Sequence, residues 1–166
     1  MQLLFFRHGI AQDLAPNAPA SADAARALTD QGIRKTRAAV AGLAQLLKGQ
    51  APQIMTSPKV RAAQTADILA DALDAKPQTM TELASASTDR LLRRLAKLND
   101  ECVILVGHEP ALSQMVAHLC AGSAPHSFIQ LKKAGCACID IEGKPRPGAG
   151  TLLWLATPKM LAATGD

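Results

Sequence analysis

Three short apolar runs, each followed by a polar break and an amphipathic segment, constrain the fold of this chain most. The runs are LLFF at residues 3–6, QIMT at 53–56 and CVILV at 102–106. Short apolar runs are typical of strands buried on both faces, and helical crossovers between such strands imply parallel pairing. We therefore predict an α/β fold with a largely parallel sheet that is covered by helices on both faces.

The segments around these strands predict four helices, a brief strand and a hairpin. Thr29 is suited to cap the first helix, and Pro110 to start the last. The brief strand lies in PQTMTEL, and GCACIDI with TLLWLAT predicts an antiparallel hairpin that makes the sheet mixed. The apolar stripes of the helices are, in chain order, Ile33, Val40, Leu43 and Leu47; Ile68, Leu69, Ala72 and Leu73; Leu91, Leu92, Leu95 and Leu98; and Leu112, Met115, Val116 and Leu119.

Composition narrows the class of protein. A chain of 166 residues that is 48% hydrophobic suits a single domain over residues 1–166. Its net charge of +4 favours phosphorylated or acidic partners. Aromatic residues make up only 2%, which argues against nucleic-acid binding by base stacking. The longest apolar runs are too short to span a membrane or to form a signal peptide, so we expect a cytoplasmic protein.

The four cysteines are expected to be reduced, because they are spread along the chain rather than arranged as a dense disulfide framework. Cys136 and Cys138 alternate along a predicted strand and therefore share one face of it. Core packing is favoured over metal binding for this pair, since free cysteine is among the most buried residue types.

Cationic side chains follow the carboxyl ends of the three apolar strands. Arg7 and His8 follow the first strand, Arg61 the second and His108 the third. Because ligands of parallel sheets bind beyond these strand ends, we expect the four side chains to converge. At about 4 Å two like charges near a protein surface repel by about 4 kcal/mol, so an anion is expected among them, and a phosphoryl group fits best.

Each residue type suits phosphoryl chemistry in its own way. The planar fork of arginine matches the phosphoryl oxygens, and a neutral imidazole can accept the phosphoryl group as a nucleophile. We assign the nucleophile to His8, and expect Gly9 to let the backbone approach the phosphoryl group. Protonated His108 is expected to stabilise the developing negative charge, and no metal or organic cofactor is required.

The segments LFFRHGIAQ, SPKVRAAQTA and VILVGHEPALS resemble, in order, the three landmarks of the histidine phosphatase superfamily. Nearly the whole chain is similar to the SixA-type phosphohistidine phosphatases. The resemblance implies a three-layer αβα sandwich, a phosphorylated His8, and phosphoryl oxygens held by Arg7, Arg61 and His108. It also implies that Arg26, just before ALTDQG, leans into the same pocket.

One departure from the superfamily pattern bears on the substrate. Members that hydrolyse phosphate esters carry a general acid, and the candidate here, Glu82 in MTELASAS, lacks the surrounding pattern. An imidazole leaving group is readily protonated near neutral pH, whereas an alkoxide needs a positioned acid. The short chain also leaves little material for a lid. We therefore predict a phosphohistidine protein substrate, such as a histidine-containing phosphotransfer domain.

Two other functions stay open: a phosphatase of the same fold for small phosphomonoesters, and a non-catalytic phosphate-binding module. A zinc site at HEPAL is disfavoured, because Leu112 stands where the second histidine ligand would be. His118 is expected to face solvent and His126 to lie in a surface loop, and Lys132 and Lys133 are expected at a solvated strand edge. We expect a monomer.

Overall fold

The computed structural model describes residues 1–85, 87–122 and 128–165. Its sheet has the order β3-β2-β4-β1-β5-β6; the first four strands are parallel to one another, β5 pairs antiparallel with β1, and β6 pairs antiparallel with β5. The strands are β1 (Gln2–Arg7), β2 (Gln53–Thr56), β3 (Pro77–Thr79), β4 (Cys102–Gly107), β5 (Cys136–Ile141) and β6 (Gly150–Ala156). The mixed α/β fold, the brief strand and the closing hairpin are confirmed.

The helices cover both faces of this sheet. They are α1 (Asp30–Leu46), α2 (Val60–Leu73), α3 (Glu82–Ser85), α4 (Thr88–Leu95), α5 (Ala111–Ala121) and α6 (Pro158–Ala162). Alternate residues of β1 enter opposite cores, so that Leu4 and Phe6 pack with α1, α2 and α6, whereas Leu3 and Phe5 pack with α3, α4 and α5. This alternation follows from the two-residue period of a strand and produces three layers.

The register of the sheet brings the carboxyl ends of three strands level. Arg7 pairs with Gly107, and Thr56 pairs with Val106. The residues that follow continue the alignment, because His8 N donates to Gly107 O at 3.1 Å and Ser57 N donates to Val106 O at 3.0 Å. The segments after β1, β2 and β4 therefore start at one edge of the sheet.

Several local predictions need correction. The segment between β1 and α1, for which the sequence pattern predicts no helix or strand, contains a 3-10 helix, Ala20–Ala25. The C-terminal helix α6 was not predicted, although Thr157 caps it and Pro158 occupies its first turn. In α2, Ala72 of the predicted apolar stripe is exposed, because a different set of residues faces the sheet. That face consists of Arg61, Ala62, Thr65, Ala66, Leu69 and Ala70.

The cysteines behave as small apolar residues. Cys102, Cys136 and Cys138 are buried, and no disulfide joins the four free cysteines of the described chain. Burial raises the pKa of the Cys138 thiol to about 12, which keeps it protonated. The prediction of core packing for Cys136 and Cys138 is confirmed. Among the described residues, no helix is both long and apolar enough to cross a membrane.

Candidate active site

His8 lies directly after β1 and presents one ring nitrogen to Arg61, within a group of side chains that we call the pocket: Arg7, His8, Arg61 and His108. Its side chain is only 7% exposed, and Nδ1 lies 2.7 Å from the Gly9 carbonyl oxygen. A carbonyl can only accept, so Nδ1 carries the proton and Nε2 keeps its lone pair. Burial, together with Arg61, Arg7 and Lys133, lowers the pKa of His8 to about 4, although the bond to Gly9 opposes this shift. The ring is therefore neutral at pH 7.

Arg61, in the first turn of α2, contacts that lone pair. Arg61 Nε donates to His8 Nε2 at 3.3 Å, and the arginine is 5% exposed. Its two terminal nitrogens point elsewhere: Nη1 donates to the backbone oxygen of Asp23 at 2.6 Å, and Nη2 to Asp23 Oδ2 at 3.0 Å. All three guanidinium nitrogens are thus engaged.

His108, directly after β4, faces His8. The ring centroids are 5.0 Å apart with 53° between the ring planes. Its Nε2 is 2.8 Å from Ser57 Oγ, at the end of β2. Burial, followed by the neighbouring His8, Arg61 and Lys59, lowers the pKa of His108 to about 3. Desolvation therefore disfavours the protonated ring that the sequence analysis expects for His108, and a bound anion would oppose this effect.

Two buried nitrogen atoms at this edge have no hydrogen-bond partner among the residues that the structure describes. They are Arg7 Nε and His108 Nδ1. Arg7 is anchored through its other end, where Nη1 donates to Leu131 O at 2.7 Å. A buried donor without an acceptor costs about 1–3 kcal/mol, so such atoms call for an explanation, and an anionic guest supplies one.

The structure gives Gly9 a different role from the predicted one. Its N–H is already donated to Thr65 Oγ1 at 3.1 Å, and its carbonyl accepts from His8. A Cβ at this position would stand 2.4 Å from Thr36 Oγ1, which explains the need for glycine. Gly9 therefore packs the turn against α1 and orients the imidazole.

Four residues of the site were not predicted from the sequence. Thr65 and Gln64 of α2 hold the chain around His8, since Gln64 Oε1 accepts from Leu28 N at 2.7 Å. Ser57 holds His108, and Asp23 holds Arg61. Gln64 and Thr65 lie three and four residues after Arg61 on α2, and therefore on the same face of that helix. This spacing is the one sequence signal that could have predicted these two residues.

Arg26 is connected to the two histidine rings through Asp23 and Arg61. Its Nη1 donates to Asp23 Oδ1 at 3.1 Å, and its Nε donates to Gln12 O at 2.5 Å. It also lies 3.8 Å from the carboxylate of Asp13. The contacts of Arg26 are therefore within its own loop, and it reaches the pocket through Asp23 rather than directly.

A protein-family model matches more than half of the chain. The model described as "Histidine phosphatase superfamily (branch 1)" matches residues 3–91, which include β1, α1, β2 and α2. The chain belongs to the histidine phosphatase superfamily. The resemblance to the superfamily is thereby confirmed, with the first two landmarks inside the matched residues, and so is the αβα architecture that membership implies.

Two curated relatives match nearly the full length. An uncharacterized protein of Picosynechococcus sp. (strain ATCC 27264 / PCC 7002 / PR-6) is 38% identical over 172 residues, covering 97% of this chain and 99% of the relative. Phosphohistidine phosphatase SixA of Escherichia coli (strain K12) is 29% identical over 167 residues, covering 95% and 94%. The superfamily match therefore extends beyond the region that the family model covers.

Solved structures share the fold over nearly the full length of this chain. The protein histidine phosphatase SixA complexed with tungstate superimposes with a TM-score of 0.78 and 26% identity, covering 96% of this chain and 98% of that one. The alpha-ribazole phosphatase from Shigella flexneri has a TM-score of 0.72 and 18% identity, covering 95% and 97%. The second likeness concerns the fold alone.

The remaining predicted residues lie outside these contacts or outside the described chain. Glu82 is in the first turn of α3, where Thr81 Oγ1 donates to its Oε2 at 3.4 Å. His118 is half-buried rather than solvent-facing, because α5 packs near the turn of the hairpin and His118 O accepts from Gly148 N. Lys132 and Lys133 are exposed, but in a turn before β5. His126 falls outside the described residues.

Proposed function

We propose that this chain is a phosphohistidine phosphatase that removes phosphate from a phosphohistidine on a signalling or phosphotransfer protein. The observation that carries the proposal is the contact between Arg61 Nε and His8 Nε2 at 3.3 Å. It places a fixed cation beside the lone pair of a neutral, nucleophilic imidazole. A cation in that position attracts the phosphoryl group to the atom that attacks it.

In the first step, the hydrogen bond from Arg61 Nε to His8 Nε2 is released, the freed lone pair attacks phosphorus, and the bond from phosphorus to the substrate nitrogen breaks. The leaving imidazole takes a proton from solvent, which is easy near neutral pH. The new phospho-His8 ring carries positive charge, because Nδ1 keeps its proton. The Gly9 carbonyl, 2.7 Å from Nδ1, stabilises that charge.

In the second step, water attacks phosphorus and the bond to His8 Nε2 breaks, which releases orthophosphate and restores the neutral ring. The phosphoryl oxygens are bound in both steps by Arg7, Arg61 and His108. Arg7 Nε and His108 Nδ1, which are buried and unpartnered among the described residues, are the donors that these oxygens would satisfy. A dianionic guest would also raise the pKa of His108 and favour its charged form.

Several observations favour a phosphohistidine over a phosphate ester. The E. coli relative at 29% identity is a phosphohistidine phosphatase, and the SixA structure with a TM-score of 0.78 is complexed with tungstate, a tetrahedral oxyanion. Within the described chain, Glu82 makes no hydrogen bond to His8 or to the three proposed phosphoryl-binding residues. A pocket without a positioned acid suits a leaving group that protonates by itself.

The substrate class is tested by comparing two kinds of phosphoryl donor. We expect kcat/KM for a phosphorylated histidine-containing phosphotransfer domain to exceed that for p-nitrophenyl phosphate by at least about a hundredfold, since the ester needs an acid that is worth about that factor. Glu82→Gln should leave the first activity unchanged. A higher kcat/KM for the ester, lost in Glu82→Gln, would contradict the proposal.

A small phosphomonoester is the second candidate substrate, because the alpha-ribazole phosphatase from Shigella flexneri shares the fold. Sugar phosphates in the same assay separate the two candidates. Tight phosphate binding without turnover of any donor would instead indicate a binding module. The same proposal includes one domain over residues 1–166 and a monomeric state, which sedimentation tests. It also includes a cytoplasmic location, which cell fractionation tests, and catalysis without a metal, which assay with a chelator tests.

A further inference from the structure

The carboxylate of Asp23 contacts three cationic side chains at the edge of the pocket. Its Oδ2 is 2.8 Å from Lys59 Nζ and 3.0 Å from Arg61 Nη2, and its Oδ1 is 3.1 Å from Arg26 Nη1. The Asp23 carbonyl also accepts from Arg61 Nη1 at 2.6 Å. Asp23 therefore binds both terminal nitrogens of the arginine whose third nitrogen faces His8.

The loop that carries Asp23 is fixed at its base. Gln12 N donates to Ala27 O at 2.8 Å, and residue 11 forms an isolated bridge with Leu28. Leu28 N in turn donates to Gln64 Oε1 of α2. The 3-10 helix that carries Asp23 is thus held against α2, whose first turn contains Arg61.

We propose that Asp23 is a positioning residue, which holds Arg61 with its Nε edge toward His8 and offsets the charge of Arg61 and Lys59 so that orthophosphate leaves the pocket. The inference rests on the proposed function, because it gives Asp23 a task in phosphoryl transfer at the same site. Without the carboxylate, a long guanidinium side chain has other rotamers open to it, and two cations at the pocket edge lose their counter-charge.

This role has a signature that general destabilisation lacks. A guanidinium displaced by about 1 Å from its productive position can cost about a hundredfold in rate. Uncompensated cations, in contrast, bind a phosphate anion more tightly in the ground state. Loss of Asp23 should therefore lower kcat and strengthen orthophosphate binding, whereas a merely loosened site would weaken both.

The test compares Asp23→Asn with the wild-type chain. We expect kcat on a phosphorylated histidine-containing phosphotransfer domain to fall about 10- to 100-fold, and the Kd of orthophosphate in calorimetry to fall about threefold or more. The matched control is Asp13→Asn in the same loop, whose side chain is fully exposed and lies 3.8 Å from Arg26, with no ion pair to Arg61 or Lys59 among the described residues. It should change neither quantity.

Asp23→Glu separates charge from position. It keeps the negative charge, so orthophosphate affinity should stay at the wild-type value, while the longer side chain displaces Arg61 and lowers kcat. It also decides the question if Asp23→Asn does not fold. Unchanged kcat in both variants, or a joint loss of kcat and phosphate affinity, would overturn the inference. If wild type does not turn over phosphohistidine, the proposed function fails instead, and orthophosphate binding still tests the charge of Asp23.

Discussion

The two sides of the pocket differ in how their nitrogen atoms are used. On the α2 side, Arg61 donates from all three nitrogens, to His8 and twice to Asp23. On the opposite side, Arg7 Nε and His108 Nδ1 are buried without a partner in the described part of the chain. One side is completed by the protein and the other is not.

The difference separates two tasks that a phosphoryl-transfer site must perform. In the proposed mechanism, the α2 side holds the His8 ring and the Arg61 cation in place before any substrate arrives, and only the hydrogen bond between Arg61 Nε and His8 Nε2 is exchanged for the phosphoryl group. The other side retains donors whose burial without acceptors costs about 1–3 kcal/mol each, and that cost is recovered when an anion binds. Substitutions on the two sides should therefore affect rate and affinity differently.

The largest expected effect follows from removing His8 Nε2, the proposed attacking atom, which lies between the two sides of the pocket. His8→Ala should abolish turnover, a loss on the order of 10⁴ or more, because the proposed mechanism takes the attacking lone pair from His8. Incubation with a radiolabelled phosphohistidine carrier, followed by alkaline denaturation, should label wild type and leave the variant unlabelled. His118→Gln serves as the histidine control and should be labelled like wild type. Label on the His8→Ala chain would remove His8 from the mechanism.

The α2 side is tested next by Arg61→Ala. We expect kcat/KM to fall by a factor that corresponds to about 2–4 kcal/mol, as for removal of an oxyanion donor. Arg7→Ala, on the other side, should raise the Kd of orthophosphate more than it lowers kcat, because Arg7 does not touch the His8 lone pair. Steady-state kinetics with parallel calorimetry measures both. Equal kcat losses in the two variants would erase the distinction between the sides.

The histidine pair makes stability depend on pH. The pKa values of His8 and His108 lie near 4 and 3 in the folded chain, against about 6.5 when unfolded. The unfolded chain therefore binds more protons below pH 6.5, and stability falls as the pH falls toward 4. We expect a loss on the order of 2–3 kcal/mol per ring between pH 7 and pH 4.

Urea unfolding at pH 7 and pH 4 measures this loss, and His8→Phe should show less of it, because phenylalanine has no charged form to exclude. Ring proton shifts followed by NMR should give midpoints below pH 5 for both histidines. Midpoints near 6.5 would mean that the rings are less buried than the structure has them, and the pH argument would fail.

The layered fold was predictable because its signals are local. The apolar runs of β1, β2 and β4 and the stripe of α5 each contain their own period, and the structure confirms them. Helix α6 was not predicted, since five residues carry too short a pattern. The position of α6 is set by its packing on α1, which is distant in sequence. The two helices pack so closely that a Cβ on Gly42 of α1 would lie 1.7 Å from the Leu161 carbonyl oxygen of α6.

For the site, the sequence could predict which residues come together but not how they are held. Strand ends of a parallel sheet meet at one edge, and this general rule placed His8, Arg61 and His108 correctly beside each other. The partners Asp23 and Ser57 depend on a loop conformation and a side-chain rotamer, neither of which has a periodic signal. The charge of His108 depends on burial, which only the assembled fold reveals.

The smallest effect concerns how the less complete side is oriented, and Ser57→Ala tests it. Among the residues that the structure describes, Ser57 Oγ is the one hydrogen-bond partner of the His108 ring, at 2.8 Å from Nε2. Its loss should reduce kcat/KM about tenfold and stability by about 1–2 kcal/mol, because a further buried ring nitrogen is left unpaired. Ser87→Ala, which removes the N-cap of α4, is the control: it should cost about 1 kcal/mol in stability with unchanged kcat/KM. If the two variants reduce stability alike and neither changes kcat/KM, the orientation of His108 does not depend on Ser57, and the ring is held by packing alone.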